Sequence, residues 1–307
     1  MSDIKIGTRG SPLALWQANW VKAQLEQQHP GISVELEIIQ TQGDKILDVA
    51  LAKVGGKGLF VKEIESALLD NSVDIAVHSM KDVPTELPEG LFIACICERE
   101  DPRDAFVARQ VKSFADLPQR AVVGTSSLRR QTQILHRRPD LKIVPLRGNV
   151  GTRIKRMEEN NLDAIILAAA GLVRLEQAGL ITSYMSVTES LPAVAQGAVG
   201  VEARIGDERV LNLIRFLDHH KTRVAVETER AFLTRLEGGC QVPIAGHAVV
   251  DGEKVALEGL VGSLDGSVIH RNKAEGKVGA HEDMGRALAD DLLKSGAGEI
   301  LKEAYGK

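Results

Sequence analysis

Apolar positions fall in short runs along the first hundred residues, and the period of those runs changes. Segments 4–8, 34–39, 73–78 and 91–97 are continuous or alternating apolar stretches of strand length, while 12–28 and 59–69 repeat at helical spacing. Interleaving of this kind predicts a sheet covered by helices. A second series follows the charged turn 98–104, with strands at 121–124, 142–145 and 164–168 and helices over 128–137 and through 153–160. Past 191–197 the pattern changes to long amphipathic stretches around 208–219 and 223–236. Strand-like runs at 246–250, 254–261 and 267–271 and a helix over 284–293 follow. The expected fold class is α/β: two lobes of mixed sheet with covering helices, plus a smaller C-terminal α+β domain.

The two series share a local signature. Ile4-Lys-Ile-Gly-Thr-Arg-Gly-Ser-Pro12 and Val122-Val-Gly-Thr-Ser-Ser-Leu-Arg129 both run from strand through Gly-Thr and a hydroxyl residue into a helix. This is too short to prove duplication, but it fits two lobes facing one cleft. Ser11 is a good N-cap and Pro12 suits the first helical position, so backbone N–H groups there point at an anion with Arg9 beside them. A plain helix cap accounts for the segment equally well. In the second copy Thr125 and Ser127 are joined by Arg129 and Arg130, whose guanidinium forks grip carboxylates bidentately.

Composition narrows the class. The 307 residues are 44% hydrophobic but only 3% aromatic, as in layered aliphatic cores, and their number suffices for more than one domain. No basic-then-apolar leader and no apolar run near the ~20 residues that span a bilayer is seen, so a cytoplasmic location is expected. Net charge is −4, yet residues 129–156 hold nine Lys or Arg against the single acid Asp140. A local positive field on a mildly acidic protein suits a small polyanion. Nucleic acid is disfavoured, because no aromatics interleave with the basic residues. Arg137, Arg138 and Lys142 read as ordinary helix-end and surface charges.

Further candidates lie elsewhere. Gly55-Gly-Lys57-Gly-Leu-Phe60 lacks the spacing of a phosphate loop and reads as a cleft loop carrying Lys53 and Lys57, or as a bare surface turn. In His78-Ser-Met-Lys81-Asp82-Val-Pro84 a lysine and a carboxylate follow a strand end, where α/β sheets place ligands. Most such neighbours are only surface ion pairs. In a positive cleft, a carboxylate can steady a developing cation or move a proton. His78 is a possible general base, though a lone strand-end histidine is more often structural, and no histidine sits at metal-ligand spacing. Cys95 and Cys97 read as buried thiols on one strand face. Cys240 stands alone in a Gly-Gly-Cys-Gln-Val-Pro loop and is unreactive by spacing alone.

These segments, with Leu146-Arg-Gly-Asn-Val150, Ala195-Gln196-Gly197 and Leu236-Glu-Gly-Gly-Cys240, occur in the order found in the porphobilinogen deaminases, and the whole chain resembles that family. The resemblance implies a transferase of tetrapyrrole (porphyrin, heme) biosynthesis that deaminates four porphobilinogen molecules and joins them head to tail on a dipyrromethane cofactor. Hydrolysis then releases the linear hydroxymethylbilane. It further implies that Cys240 carries the cofactor through a thioether and that Asp82 contacts pyrrole N–H groups and stabilises the azafulvenium left when ammonia departs. Cofactor contacts are implied for Lys81, Asp82, Thr125, Ser127, Arg129, Arg130 and Arg147. Substrate contacts are implied for Arg9, Ser11, Arg153, Arg174, Gln196, Lys53, Lys57 and Phe60. No metal is implied.

The family's fold implies lobes resembling periplasmic binding proteins: 1–97 with 198–217, then 98–197, then a third domain over 218–307 bearing the cysteine loop, with crossovers near 98–104 and 191–197. A monomer acting on a small molecule, with no nucleic acid or membrane partner, is the corresponding expectation. The rival reading is a non-catalytic two-lobed small-anion-binding protein, which would not need Cys240.

Overall fold

The computed structural model describes residues 4–45, 61–238 and 242–304. The chain divides into two compact units, Met1–Glu100 with Ala198–Arg223, and Asp101–Gly197 with Val224–Lys307.

In the first unit the strands are β1 (Ile4–Thr8), β2 (Val34–Ile38), β3 (Ile75–Ser79), β4 (Leu91–Ile96) and, numbered by chain order, β10 (Val199–Arg204). They form one sheet in the order β2-β1-β3-β10-β4. β1 is parallel to β2 and β3, and β10 is antiparallel to both β3 and β4. Helix α1 (Pro12–Gln28) buries Ala18, Val21 and Leu25 against Ile4, Ile6, Ile75, Val77, Val199 and Val201 on one face of the sheet. On the other face, Ile64 and Leu68 of α3 (Lys62–Leu69) pack with Val73, Ala76 and Leu91; α2 (Gln42–Lys45) is a single turn. The sheet is thus covered on both sides, which is why its central strands are apolar rather than alternating.

The second unit repeats the arrangement. β5 (Asp104–Ala108), β6 (Val122–Gly124), β7 (Lys142–Val144), β8 (Ala164–Ala168) and β9 (Ser183–Met185) form a sheet in the order β7-β6-β8-β5-β9. The strand antiparallel to its neighbours is β5. Helices α4 (Leu128–Arg137), α5 (Val150–Glu159) and α6 (Ala169–Arg174) accompany it, and α7 (Glu208–Ile214) belongs to the first unit. A smaller antiparallel sheet, β11 (Ile244–Asp251), β12 (Lys254–Gly262) and β13 (Ile269–Lys277), lies with α8 (His220–Arg235), α9 (His281–Leu292) and α10 (Gly298–Ala304) around Phe232, Leu257, Val261 and Leu288. This is the α/β class with a smaller α+β domain that the apolar pattern predicts.

One element differs in extent from its sequence signal: the strand expected to end near 271 runs to Lys277. The helix expected over 59–69 is described from Lys62, and its first two expected positions lie outside the described residues. β13 is polar along its length because it is an edge strand. Its extent is set by backbone pairing with β12 and by Arg271 and Lys273 reaching Glu258 across the ladder, not by burial. Cys95 and Cys97 are buried, as their spacing suggests, and burial pushes the Cys95 thiol up to about 12. Among the described residues no helix is long and apolar enough to cross a membrane.

Candidate active site

At the C-terminal ends of β1 and β3, a recess is lined by Arg9, Ser11, Leu13, Ala14, Gln17, Val61, His78, Ser79 and Asp82. Local sequence dictates its walls. Ser11 is the N-cap of α1 and its Oγ accepts from Ala14 N at 3.3 Å, with Pro12 following, so the first turn of the helix opens onto the recess. Helix N-termini leave backbone N–H groups without intrahelical partners and favour anions. Arg9 is held beside them: its Nε donates to Asp44 Oδ1 at 3.2 Å and its Nη2 pairs with the same oxygen. Thr41 Oγ1 donates to Asp44 Oδ2 at 2.8 Å. Partial burial opposes ionisation of Asp44, but the bonds from Arg9 and Thr41 prevail and keep its carboxyl below the usual range.

Asp82 also lines the recess and is exposed, at the end of the 3-10 turn Met80–Asp82 that continues β3, and Lys81 precedes it. That turn is seated by Met80, which is 1% exposed and whose backbone N–H donates to Ala198 O at 3.0 Å. Gln17 Nε2 donates to Ser79 Oγ at 2.9 Å, tying α1 to the same strand end. Beneath the recess, His78 Nε2 lies 2.9 Å from Glu202 Oε2, both side chains being buried. A second buried acid, Glu65 of α3, is pushed up to about 7, first by burial and then by the neighbouring Glu202.

In the second unit the paired arginines are buried on one carboxylate. Arg129 Nη1 donates to Asp104 Oδ2 at 2.8 Å and Arg130 Nη2 to Asp104 Oδ1 at 2.8 Å. Arg129 Nη1 also reaches Leu191 O at 2.7 Å, and Ser190 Oγ donates to Asp104 at 2.7 Å. Gln196 Nε2 donates to Asp104 Oδ1 at 2.9 Å, and Arg174 Nη2 to Gly197 O at 2.7 Å. Full burial opposes the Asp104 charge, but the two guanidiniums hold it far below the usual carboxylate range. Two cations on one anion leave a net positive charge at the start of α4, where Thr125 and Ser127 stand, and Arg129 Nε is buried with no hydrogen-bond partner among the described residues. Arg147 and Arg153 are half-buried beside and within the first turn of α5, whose N-cap is Asn149; Arg153 Nε donates to Gly148 O at 2.8 Å. Arg137 and Arg138 serve as helix-end charges, reaching the Glu189 carbonyl and Asp140.

Cys240, Lys53, Lys57 and Phe60 lie outside the described residues. The approach to the cysteine is described: α8 ends in a left-handed Glu237 (φ 53°), and Gly238 N donates to Leu233 O at 3.0 Å. A Cβ on Gly238 would come within 2.5 Å of Leu233 and 2.7 Å of Ile244, so only glycine fits there. Buried Glu229 of α8 binds Ala195 N at 2.6 Å and Ala248 N at 2.7 Å, fixing β11, which follows the cysteine loop, to the segment that carries Gln196. Ala195 there adopts a φ of 60°, a strained conformation for a non-glycine residue that Glu229 helps to hold.

The structure therefore brings Arg9, Ser11 and Asp82 together in the first unit, and Arg129, Arg130, Arg174 and Gln196 together in the second. Sequence reasoning did not single out Asp44, Glu65, Asp104, Glu202 or Glu229. Asp44, Asp104, Glu202 and Glu229 each meet a partner remote in the chain; an acid inside an apolar run, as at Glu202, is the one local signal that flags any of them.

Comparison with known proteins identifies the family. Residues 4–212 match the family described as porphobilinogen deaminase, dipyromethane cofactor binding domain, and residues 223–294 match porphobilinogen deaminase, C-terminal domain. The porphobilinogen deaminase of Geobacter metallireducens is 59% identical over 99% of this chain and 95% of its own. That of Syntrophotalea carbinolica is 60% identical over 98% and 95%. Among solved structures, the Methionine Binding Protein, MetQ, superposes with a TM-score of 0.44 at 14% identity, over 69% of this chain and 88% of that one. The chain belongs to the porphobilinogen deaminase family.

Proposed function

We propose that the recess of the first unit is where porphobilinogen loses ammonia and is coupled, four molecules in succession, to a dipyrromethane primer carried by Cys240, before hydrolysis releases hydroxymethylbilane. The observation that carries this reading is the convergence of Asp82, Arg9, Ser11 and the N-terminus of α1 on one recess. A pyrrole bearing acetate and propionate needs both kinds of group. A cation and oriented N–H donors take its carboxylates, and a carboxylate takes its ring N–H.

Asp82 accepts the pyrrole N–H and, staying ionised, stabilises the positive charge that develops on substrate as the C–N bond breaks. Arg9, fixed by Asp44, and Ser11 anchor substrate carboxylates. In the second unit, the unbalanced positive charge of Arg129 and Arg130 on Asp104, with Thr125, Ser127 and Arg147, suits the acid side chains of the primer. In the first unit, Lys81 is a cation of the same use beside Asp82. When bound, that primer supplies a nucleophilic pyrrole α-carbon. Arg153, Arg174 and Gln196 hold the lengthening chain, joined by Lys53, Lys57 and Phe60. The domain divisions 1–97 with 198–217, 98–197 and 218–307 and a cytoplasmic monomer without nucleic-acid or membrane partners complete the reading. A non-catalytic anion-binding protein would have no use for the tight glycine approach to Cys240.

Intact mass of the purified protein tests it. An excess equal to two pyrrole units, abolished by Cys240→Ser, is expected, and Asp82→Ala should keep the fold but nearly stop turnover. Active protein of unmodified mass, or near-normal rates in Asp82→Ala, would overturn the corresponding assignment.

A further inference from the structure

Beneath the recess lies a titratable cluster that binding does not use. His78 on β3 and Glu202 on β10 stand on the same face of the sheet as diagonal neighbours, Glu202 lying two residues along β10 from Gly200, which pairs directly with His78. The β10–β4 ladder is irregular between Val201 and Glu202, the kind of defect that re-aims a side chain. Glu202 is 1% exposed in the middle of a sheet, a costly place for a carboxylate without a partner. Its Oε2 meets His78 Nε2 at 2.9 Å, while its Oε1 is buried with no hydrogen-bond partner among the described residues. His78 itself lines the recess, four residues before Asp82 across the turn Met80–Asp82. The other ionisable groups felt by the cluster are Glu65 and Lys62, both on α3.

The coupling needs a proton acceptor. The C–N bond of the aminomethyl group breaks with its electron pair leaving on ammonia. The terminal pyrrole, itself substrate-derived after the first round, then forms the C–C bond with a ring π pair. Its α C–H bond must break next, returning that pair to the ring and releasing a proton. Asp82 is engaged in holding positive charge and must stay ionised, so a second group has to take the proton. Imidazole is the side chain that gains and loses a proton near neutrality, and a carboxylate on one ring nitrogen fixes the tautomer that leaves the other as a base.

We propose that His78 accepts this α-carbon proton on Nδ1 and passes it to solvent or the departing ammonia, with Glu202 as the positioning residue that holds Nε2–H. The proposal rests on the recess being the coupling site. Glu65, raised by burial and by Glu202, keeps further negative charge in check beside the pair.

Two measurements test it. Nitrogen-15 NMR of the histidine rings in the holoenzyme should show His78 protonated on Nε2 and bare on Nδ1; the opposite tautomer overturns the assignment without reference to turnover. In His78→Gln and Glu202→Gln, kcat should fall by about 10²-fold with KM little changed, the scale of a lost general base. With porphobilinogen deuterated at its free α-position, both variants should show a primary isotope effect absent from the wild type. A rate loss without that isotope effect makes the pair merely structural and overturns the proposal. Failure of wild-type protein to consume porphobilinogen would instead strike the reading of the recess itself.

Discussion

Met80 packs against Gly200 so closely that a Cβ on the glycine would lie 2.1 Å from the methionine sulfur and 3.1 Å from its Cγ. Gly200 is in β10 and Met80 opens the turn that presents Asp82, so a missing side chain on one strand decides where the carboxylate of the next element stands.

Gly200→Ala should therefore act on activity through position. Overpacking of a buried site costs roughly 1–3 kcal/mol, and the easiest relief is outward movement of the turn Met80–Asp82. Turnover should fall well beyond the change in melting temperature. The double variant with Met80→Ala should be more stable than the sum of the singles predicts, because contacting residues couple. Additive losses with an unaffected rate would show that the contact does not seat Asp82.

Asp104 supports the second cluster in a different way. It is fully buried and carries two guanidiniums, so Asp104→Asn leaves two cations in a site that excludes water. Removing one partner of a buried ion pair costs about 3–5 kcal/mol. Thermal or urea unfolding should register a loss of that order, whereas Asp140→Asn, which breaks only the surface pair with Arg138, should leave the melting temperature near the wild-type value. Equal effects from the two substitutions would contradict the buried network.

How far the sequence could be read follows from these same residues. Ser11 and Pro12 announce the α1 cap because capping is a contact between residues three apart, and Asp82 announces itself by following an apolar strand. Arg129 and Arg130 are visible as cations, but Asp104 is not visible as their partner. The bond exists only once β5 and α4 are brought together, 25 residues apart in the chain. The spacing suggested forks aimed at a ligand; the structure spends most of their donors on Asp104, Leu191 and Ile166, leaving excess charge rather than free hands. Glu202 stands out as an acid inside the apolar run Val199-Gly-Val-Glu-Ala203, but its partner is not legible until antiparallel pairing sets it beside His78. The strand β13 was legible only in part, since edge pairing leaves no apolar period to detect.

Glu65 makes the buried cluster visible in stability. In the unfolded chain its carboxyl titrates near its ordinary 4.5; in the folded protein burial, then Glu202, raise it to about 7. Between those values the folded state binds more protons than the unfolded state. The contribution of protonated Glu65 is thus fully present below about 4.5 and is lost as pH rises through about 7. Glu65→Gln keeps a neutral group at the site at every pH. Its stability relative to wild type should improve between pH 5 and pH 8, by up to about 3 kcal/mol from the size of the shift. Urea denaturation of both proteins at several pH values measures the difference directly. A difference that stays constant across that range would mean that Glu65 is not held protonated by its burial beside Glu202, and a difference that shrinks would mean that the raised value has the wrong sign.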